Sequence, residues 1–90
     1  MDKVETVKKA KNTLDKRLEL APDFPIFKSI EAQLKYLLSI LEGVSKDRSR
    51  LKEINVGVLA VREFEESALE LASDLRSVQY VVYKMTGGIG

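Results

Sequence analysis

Apolar residues recur at steps of three and four along most of the chain, and this period constrains the fold more than any other feature. The clearest series is Phe27, Ile30, Leu34, Leu37, Leu38 and Leu41. That spacing places all six side chains on one face of an α-helix. Pro25 suits the first turn of this helix, and Gly43 is placed to end it.

The same period predicts three further helices, separated by residues that favour turns. The predicted helices span about 2–21, 25–43, 47–64 and 67–85. Pro22 ends the first helix, Ser45 or Asp47 caps the third, and a capping box at Ser67 begins the fourth. The prediction is an all-α, up-and-down bundle of four helices. Ninety residues provide one core, so we expect a single domain over residues 1–90.

The composition excludes several classes of function. Fifteen basic and fourteen acidic residues give a net charge of +1, so no overall field attracts nucleic acid or a membrane. The sequence has no cysteine and no histidine, which excludes disulfides, thiolate metal sites and Ser–His or Cys–His catalysis. We therefore expect no enzymatic activity, no metal and no cofactor. Without a secretory signal or a run of ~18 apolar residues, we expect a cytoplasmic protein.

The segment INVGVLAVREFEE, residues 54–66, is apolar nearly all round and then turns acidic. In one continuous helix from residue 47, the core face would hold Leu51, Ile54, Gly57, Val58, Val61 and Phe64, whereas Val56 and Leu59 would point away from it. One interpretation is a helix packed on two sides. The other is that Val56 and Leu59 form an apolar patch, rimmed by carboxylates, that binds a partner protein.

Two further features bear on this segment. A glycine inside a helix costs about 1 kcal/mol relative to alanine, so we expect Gly57 to mark the close approach of helix two or four.

The charged residues are unevenly distributed along the sequence. A basic run, Lys46, Arg48, Arg50 and Lys52, precedes an acidic one, Glu63, Glu65, Glu66, Glu70 and Asp74. These runs are either solvated faces or surfaces that select an oppositely charged partner.

Three segments resemble an immunity-protein family of bacterial type VI secretion. They are QLKYL (33–37), DRSRL (47–51) and INVGVLAVREFEE (54–66). The similarity runs from about Lys28 to Tyr83, with the same order and nearly the same spacing. Its most specific part is D-R-S-x-L followed by G-x-x-A-V-[KR]-E-F-[DE]-E. Members of this family neutralise an effector toxin that hydrolyses NAD(P)⁺ in the cytoplasm of rival cells.

The resemblance implies a small helical bundle, without catalytic activity, that binds its cognate toxin domain and blocks the substrate site. The edge of the third helix would dock on the toxin. The acidic turn at the end of this segment, which carries Glu63, Glu65 and Glu66, would enter the NAD(P)⁺ cleft, where its carboxylates would occupy the groups that bind the pyrophosphate. The implied partner-binding residues are Val56, Leu59, Arg62, Glu63, Phe64, Glu65 and Glu66. Asp47 and Arg48, in the preceding connection, are further candidates.

Other functions are compatible with the same residues. The chain could be a self-associating bundle that acts as an adaptor or structural interaction protein, with the Val56–Leu59 patch buried in a homodimer. The free protein would then be a weak homodimer rather than a monomer. A toxin with a different substrate, or a regulatory role on nucleic acid, are further alternatives.

Overall fold

Four helices build the fold in the computed structural model, which describes residues 2–64, 66 and 68–86. They are α1 (Lys3–Leu20), α2 (Pro25–Leu41), α3 (Val56–Leu59) and α4 (Leu69–Met85). A π-helical segment, Ala60–Phe64, continues α3, and a 3₁₀ turn, Leu51–Glu53, precedes it. The described residues contain no β-strand. The predicted all-α fold of four helices is confirmed.

The ends of α2 follow the sequence prediction. Pro25 occupies the first turn, where its missing N–H costs no hydrogen bond. At the other end Gly43 adopts a φ of 79°, which an L side chain rarely tolerates. The N–H of Val44 donates to the carbonyl of Ser39 at 2.9 Å, and that of Gly43 donates to the carbonyl of Ile40 at 3.2 Å. These two bonds form a Schellman motif that ends the helix.

The core lies where the apolar faces of the helices meet. α1 packs against both α2 and α4, and α3 packs against α4. Leu14, Leu34 and Leu75 are fully buried and come from three different helices. Near one end of the core, the rings of Phe27 and Phe64 stack at 5.5 Å between centroids. The third helical segment is thereby attached to α2 as well as to α4.

One buried carboxylate joins α1 to α4. Asp74 is 6% exposed, and its two oxygens accept hydrogen bonds from the Thr13 hydroxyl at 2.7 Å and the Lys9 ammonium at 2.9 Å. The hydrogen bond and the charge of Asp74 raise the pKa of Lys9. A buried carboxylate needs such partners to offset its desolvation. Asp74 therefore stabilises the fold and does not belong to an acidic surface.

The third helix begins at Val56, not at Asp47 as predicted. Residues 47–55 instead form a connection held by side chains of α2 and α4. Gln33 exchanges two hydrogen bonds with Asn55, both 2.8 Å long. Gln79 accepts from the N–H of Gly57 at 3.0 Å and donates to the carbonyl of Ile54 at 3.3 Å. Because these bonds satisfy backbone groups that a helix would otherwise pair, the chain can break before Val56.

The fourth helix also begins differently from the prediction. Ala68 occupies its N-cap position and contributes no side-chain hydrogen bond. Ser67, the first residue of the predicted capping box, lies outside the described residues. The start of α4 is held instead by the burial of Ala68 and Leu71 in the core. Packing therefore contributes to fixing this helix end.

Candidate functional site

The exposed face of the third helical segment differs from the predicted one. Val56 is fully buried, and Leu59 is partly buried against the core, so the predicted Val56–Leu59 patch is wrong. The prediction extended one helical phase from Leu51, but the break at residues 54–55 resets that phase. Ala60 and Phe64 lie four and eight residues after Val56 and share its buried face. The side chains at 58 and 61 consequently point outward.

An apolar groove lies on this outward face. Its exposed hydrophobic side chains are Val58 (53%), Val61 (54%), Tyr80 (59%) and Tyr83 (47%). We call the groove they line, about 580 Å³ in volume, the valine–tyrosine groove; Gly57, Arg62, Arg76 and Gln79 complete its lining. The helical period predicted Val58 and Val61 on the core face, which is wrong, and it indicated no binding role for the two tyrosines. The available signal was the spacing of Tyr80 and Tyr83, three residues apart on one helical face.

Gly57 forms the floor of the groove. A Cβ atom at this position would lie 2.7 Å from the Cβ and 2.8 Å from the Cγ of Gln79. Only glycine allows α3 to approach α4 so closely. The predicted role of Gly57 at a close helix–helix approach is confirmed, and the neighbouring helix is α4.

The two tyrosines present a broad aromatic surface. Their ring centroids are 6.4 Å apart with an interplanar angle of 28°, and the Lys84 ammonium lies 5.5 Å from the centroid of the Tyr80 ring. An exposed tyrosine supplies both apolar area and a polar hydroxyl group, a combination that is enriched at protein interfaces.

The predicted partner-binding residues near the acidic turn are exposed where the structure describes them, except for Phe64, which is buried. Arg62, Glu63 and Glu66 are exposed, whereas Glu65 lies outside the described residues. Phe64 is only 4% exposed, so the prediction that it contacts a partner does not agree with its position. Its ring supports the turn from the core side by stacking on Phe27.

Asp47 and Arg48, the two predicted partner-binding residues before the third helix, differ in their surroundings. The carboxylate of Asp47 accepts hydrogen bonds from the N–H (3.0 Å) and the hydroxyl (2.6 Å) of Ser49, and these bonds lower the pKa of Asp47. The Tyr36 hydroxyl donates to the Asp47 carbonyl at 2.6 Å and accepts from the N–H of Arg50 at 3.2 Å. Asp47 therefore shapes its own loop, and Arg48 is exposed. Tyr36, from the QLKYL segment, anchors the DRSRL segment.

Other kinds of site find little support in the described part of the chain. No group of three or more acidic, histidine or cysteine residues there could hold a metal ion. Within the same residues, no helix is both long and apolar enough to cross a membrane.

Comparisons with known proteins agree with one another. A sequence model of the Tsi6 family matches residues 2–84. The immune protein Tsi6 of Pseudomonas aeruginosa is 34% identical over 89 residues, which cover 99% of this chain and 95% of that protein. In the structure of Tse6 in complex with Tsi6, a chain that is 34% identical superposes with a TM-score of 0.92, over 98% of this chain and 94% of that one. The structure of Tsi6 from Pseudomonas aeruginosa, which is 35% identical, superposes with a TM-score of 0.86 over 91% of this chain and 95% of that one.

Proposed function

This chain belongs to the Tsi6 family, and from that membership we propose that it is a type VI secretion immunity protein that binds the toxin domain of a cognate effector. The similarity covers nearly the whole of both chains, and the fold is shared. The observation that carries the proposal is the solved complex of Tsi6 with Tse6, which contains a relative of this chain bound to another protein. The protein protects the cell that makes it, in the cytoplasm, without catalysing a reaction.

The proposed mechanism is occlusion of an active site that hydrolyses NAD(P)⁺. A site for a pyrophosphate must offer positive charge or backbone N–H groups. The carboxylates of Glu63 and Glu66 can accept hydrogen bonds from such groups and so take the place of the substrate. Phe64, the neighbour of Glu63, is packed in the core, so little conformational entropy is lost at Glu63 when it enters a cleft.

Charge reversal in the acidic turn tests this mechanism. We expect Glu66→Lys to weaken binding of the toxin domain at least about tenfold, because a cation replaces a carboxylate opposite a cationic cleft. Isothermal titration calorimetry with the purified domain measures the change. Glu66 is exposed, so the melting temperature should stay close to that of the wild type.

Glu5→Lys provides the matched control for Glu66→Lys. It makes the same change of charge at an exposed position in the first turn of α1. Its affinity should stay within a factor of three of the wild-type value. Equal affinity of both variants would remove the acidic turn from the mechanism without affecting the proposed immunity function.

Protection of living cells tests the function itself. Cells that express the toxin domain encoded beside this gene should lose NAD⁺ and stop growing, and co-expression of this chain should preserve both NAD⁺ and growth. The two proteins should also co-purify. A chain that neither protects these cells nor co-purifies with the domain would contradict the proposal.

A further inference from the structure

We infer that the valine–tyrosine groove is the surface that holds the toxin domain, and that it receives an aliphatic or aromatic side chain flanked by carboxylates. The inference rests on the proposed function, since it takes the toxin domain as the partner. It names a docking surface separate from the acidic turn. The acidic turn blocks the cleft, whereas the groove supplies the affinity.

The distribution of exposed apolar side chains favours this groove. The described part of the chain has eight large hydrophobic residues with substantial exposure, and four of them line this one groove: Val58, Val61, Tyr80 and Tyr83. Single exposed hydrophobic residues need no explanation, but a contiguous set is typical of an interface. A partner that covers the groove removes two aromatic rings from water, and such rings dominate binding energies.

The charges around the groove specify the partner's chemistry. Arg62 and Arg76 line it, Lys84 lies against Tyr80, and the adjoining groove contains Lys52. Neither groove has a carboxylate among its described lining residues, although the chain carries fourteen acidic residues against fifteen basic ones. The other two grooves mix both signs. A cationic rim around an apolar centre is complementary to an apolar side chain flanked by aspartate or glutamate.

The same charges oppose self-association through this face. A two-fold homodimer pairs a surface patch with its own copy. Here that contact would bring the cationic rims of two molecules together, with Arg62 and Lys84 from each. Like charges in contact suppress an interface. The groove therefore fits an acidic-rimmed partner better than a second copy of the chain.

The groove is also preformed. Gln79, in its floor, binds the N–H of Gly57 and the carbonyl of Ile54, so α3 and α4 are fixed relative to each other. The rings of Tyr80 and Tyr83 lie side by side on α4 and form one wall of the groove. A surface that is already ordered loses little conformational entropy when a partner binds. These features allow the side chains of the groove to act as anchors.

A carboxylate placed in the groove tests the inference. We expect Val61→Glu to weaken binding of the toxin domain about 100-fold, since it removes apolar contact and opposes the partner's carboxylates. Val44→Glu is the matched control, because Val44 is an exposed valine (80%) outside the groove. Its affinity should remain within a factor of three. Tyr80→Ala, a truncation without new charge, should also weaken binding by at least tenfold.

A charge reversal tests the contribution of the basic side chains around the groove. Arg76 already interacts within the chain, so the variant is made at Arg62. We expect Arg62→Glu to slow association about tenfold and to reduce the dependence of the association rate on salt. Lys16→Glu, at an exposed position of α1, makes the same change of charge and should leave the rate unchanged.

Each outcome of these measurements decides a claim. Wild-type affinity in both Val61→Glu and Tyr80→Ala would overturn the groove as the docking surface while leaving the immunity function intact. A wild-type chain that does not bind the domain would overturn both claims. A wild-type chain that dimerises in solution, and becomes monomeric on Val61→Glu, would assign the groove to a second copy and overturn the inference.

Discussion

Phe64→Ala should lower the free energy of unfolding by about 3–5 kcal/mol. The ring is 4% exposed and stacks on Phe27, so its removal leaves a cavity between the third helical segment and α2. The neighbouring side chains are close-packed and cannot refill that volume. Urea unfolding followed by circular dichroism measures the loss, which is a large fraction of the stability of a domain of this size.

A conservative substitution at Phe64 distinguishes a role in core packing from a role in contacting the toxin domain. Phe64→Leu retains most of the buried volume and should cost only about 1 kcal/mol. It should bind the toxin domain with wild-type affinity, because the side chain faces the core. A Phe64→Ala variant that is as stable as the wild type but no longer binds would instead show that the ring contacts the partner.

Gly57→Val should be the second most damaging change, at about 2–3 kcal/mol. A Cβ at this position already lies 2.7 Å from the Cβ of Gln79, an atom next to the α4 backbone that a rotamer change cannot move. The gain in helix propensity over glycine, less than 1 kcal/mol, cannot offset this overlap. Thermal unfolding should show the loss, and the separation of α3 from α4 should also weaken toxin binding.

Two variants serve as controls for Gly57→Val. Ser77→Val places a valine at an exposed position of α4 and should change stability by no more than about 0.5 kcal/mol. Adding Gln79→Ala to Gly57→Val should not restore stability, because alanine keeps the offending Cβ. Wild-type stability of Gly57→Val would mean that the two helices do not touch at this point.

The sequence predicted most of the fold because the fold depends on local signals. The apolar period of α2, its proline and its terminal glycine act within one or two turns of the helix, and each has the predicted role. Gly57 was also assigned correctly, since an unfavourable residue in a helix needs a compensating contact. These features require no knowledge of distant residues.

The register of the third helix could not be predicted in the same way. It depends on Gln33 and Gln79, which bind the chain at 54–57 from positions more than twenty residues away. A helical period carried through residues 47–55 therefore assigned Val56 to the surface and Val61 to the core, the reverse of the structure. The wrong register also hid the groove, because it turned Val58 and Val61 towards the core. In addition, the two walls of the groove come from different helices, whose contact a local pattern does not predict.

The segments that resemble the immunity family serve the scaffold as well as the surface. Tyr36 anchors the loop that holds Asp47, and Gly57 and Phe64 pack inside the protein. In the described part of the longest segment, the exposed residues are Asn55, Val58, Val61, Arg62, Glu63 and Glu66. A shared motif can therefore identify the fold without identifying every residue that contacts the partner.

The central claim is that this chain acts by occupying another protein's active site. The most direct measurement is NAD(P)⁺ hydrolysis by the purified toxin domain as the chain is added. Hydrolysis should fall in proportion to added chain and stop at one equivalent, and the chain alone should leave NAD(P)⁺ intact. A toxin domain that is saturated with the chain and still hydrolyses NAD(P)⁺ at its full rate would contradict the claim.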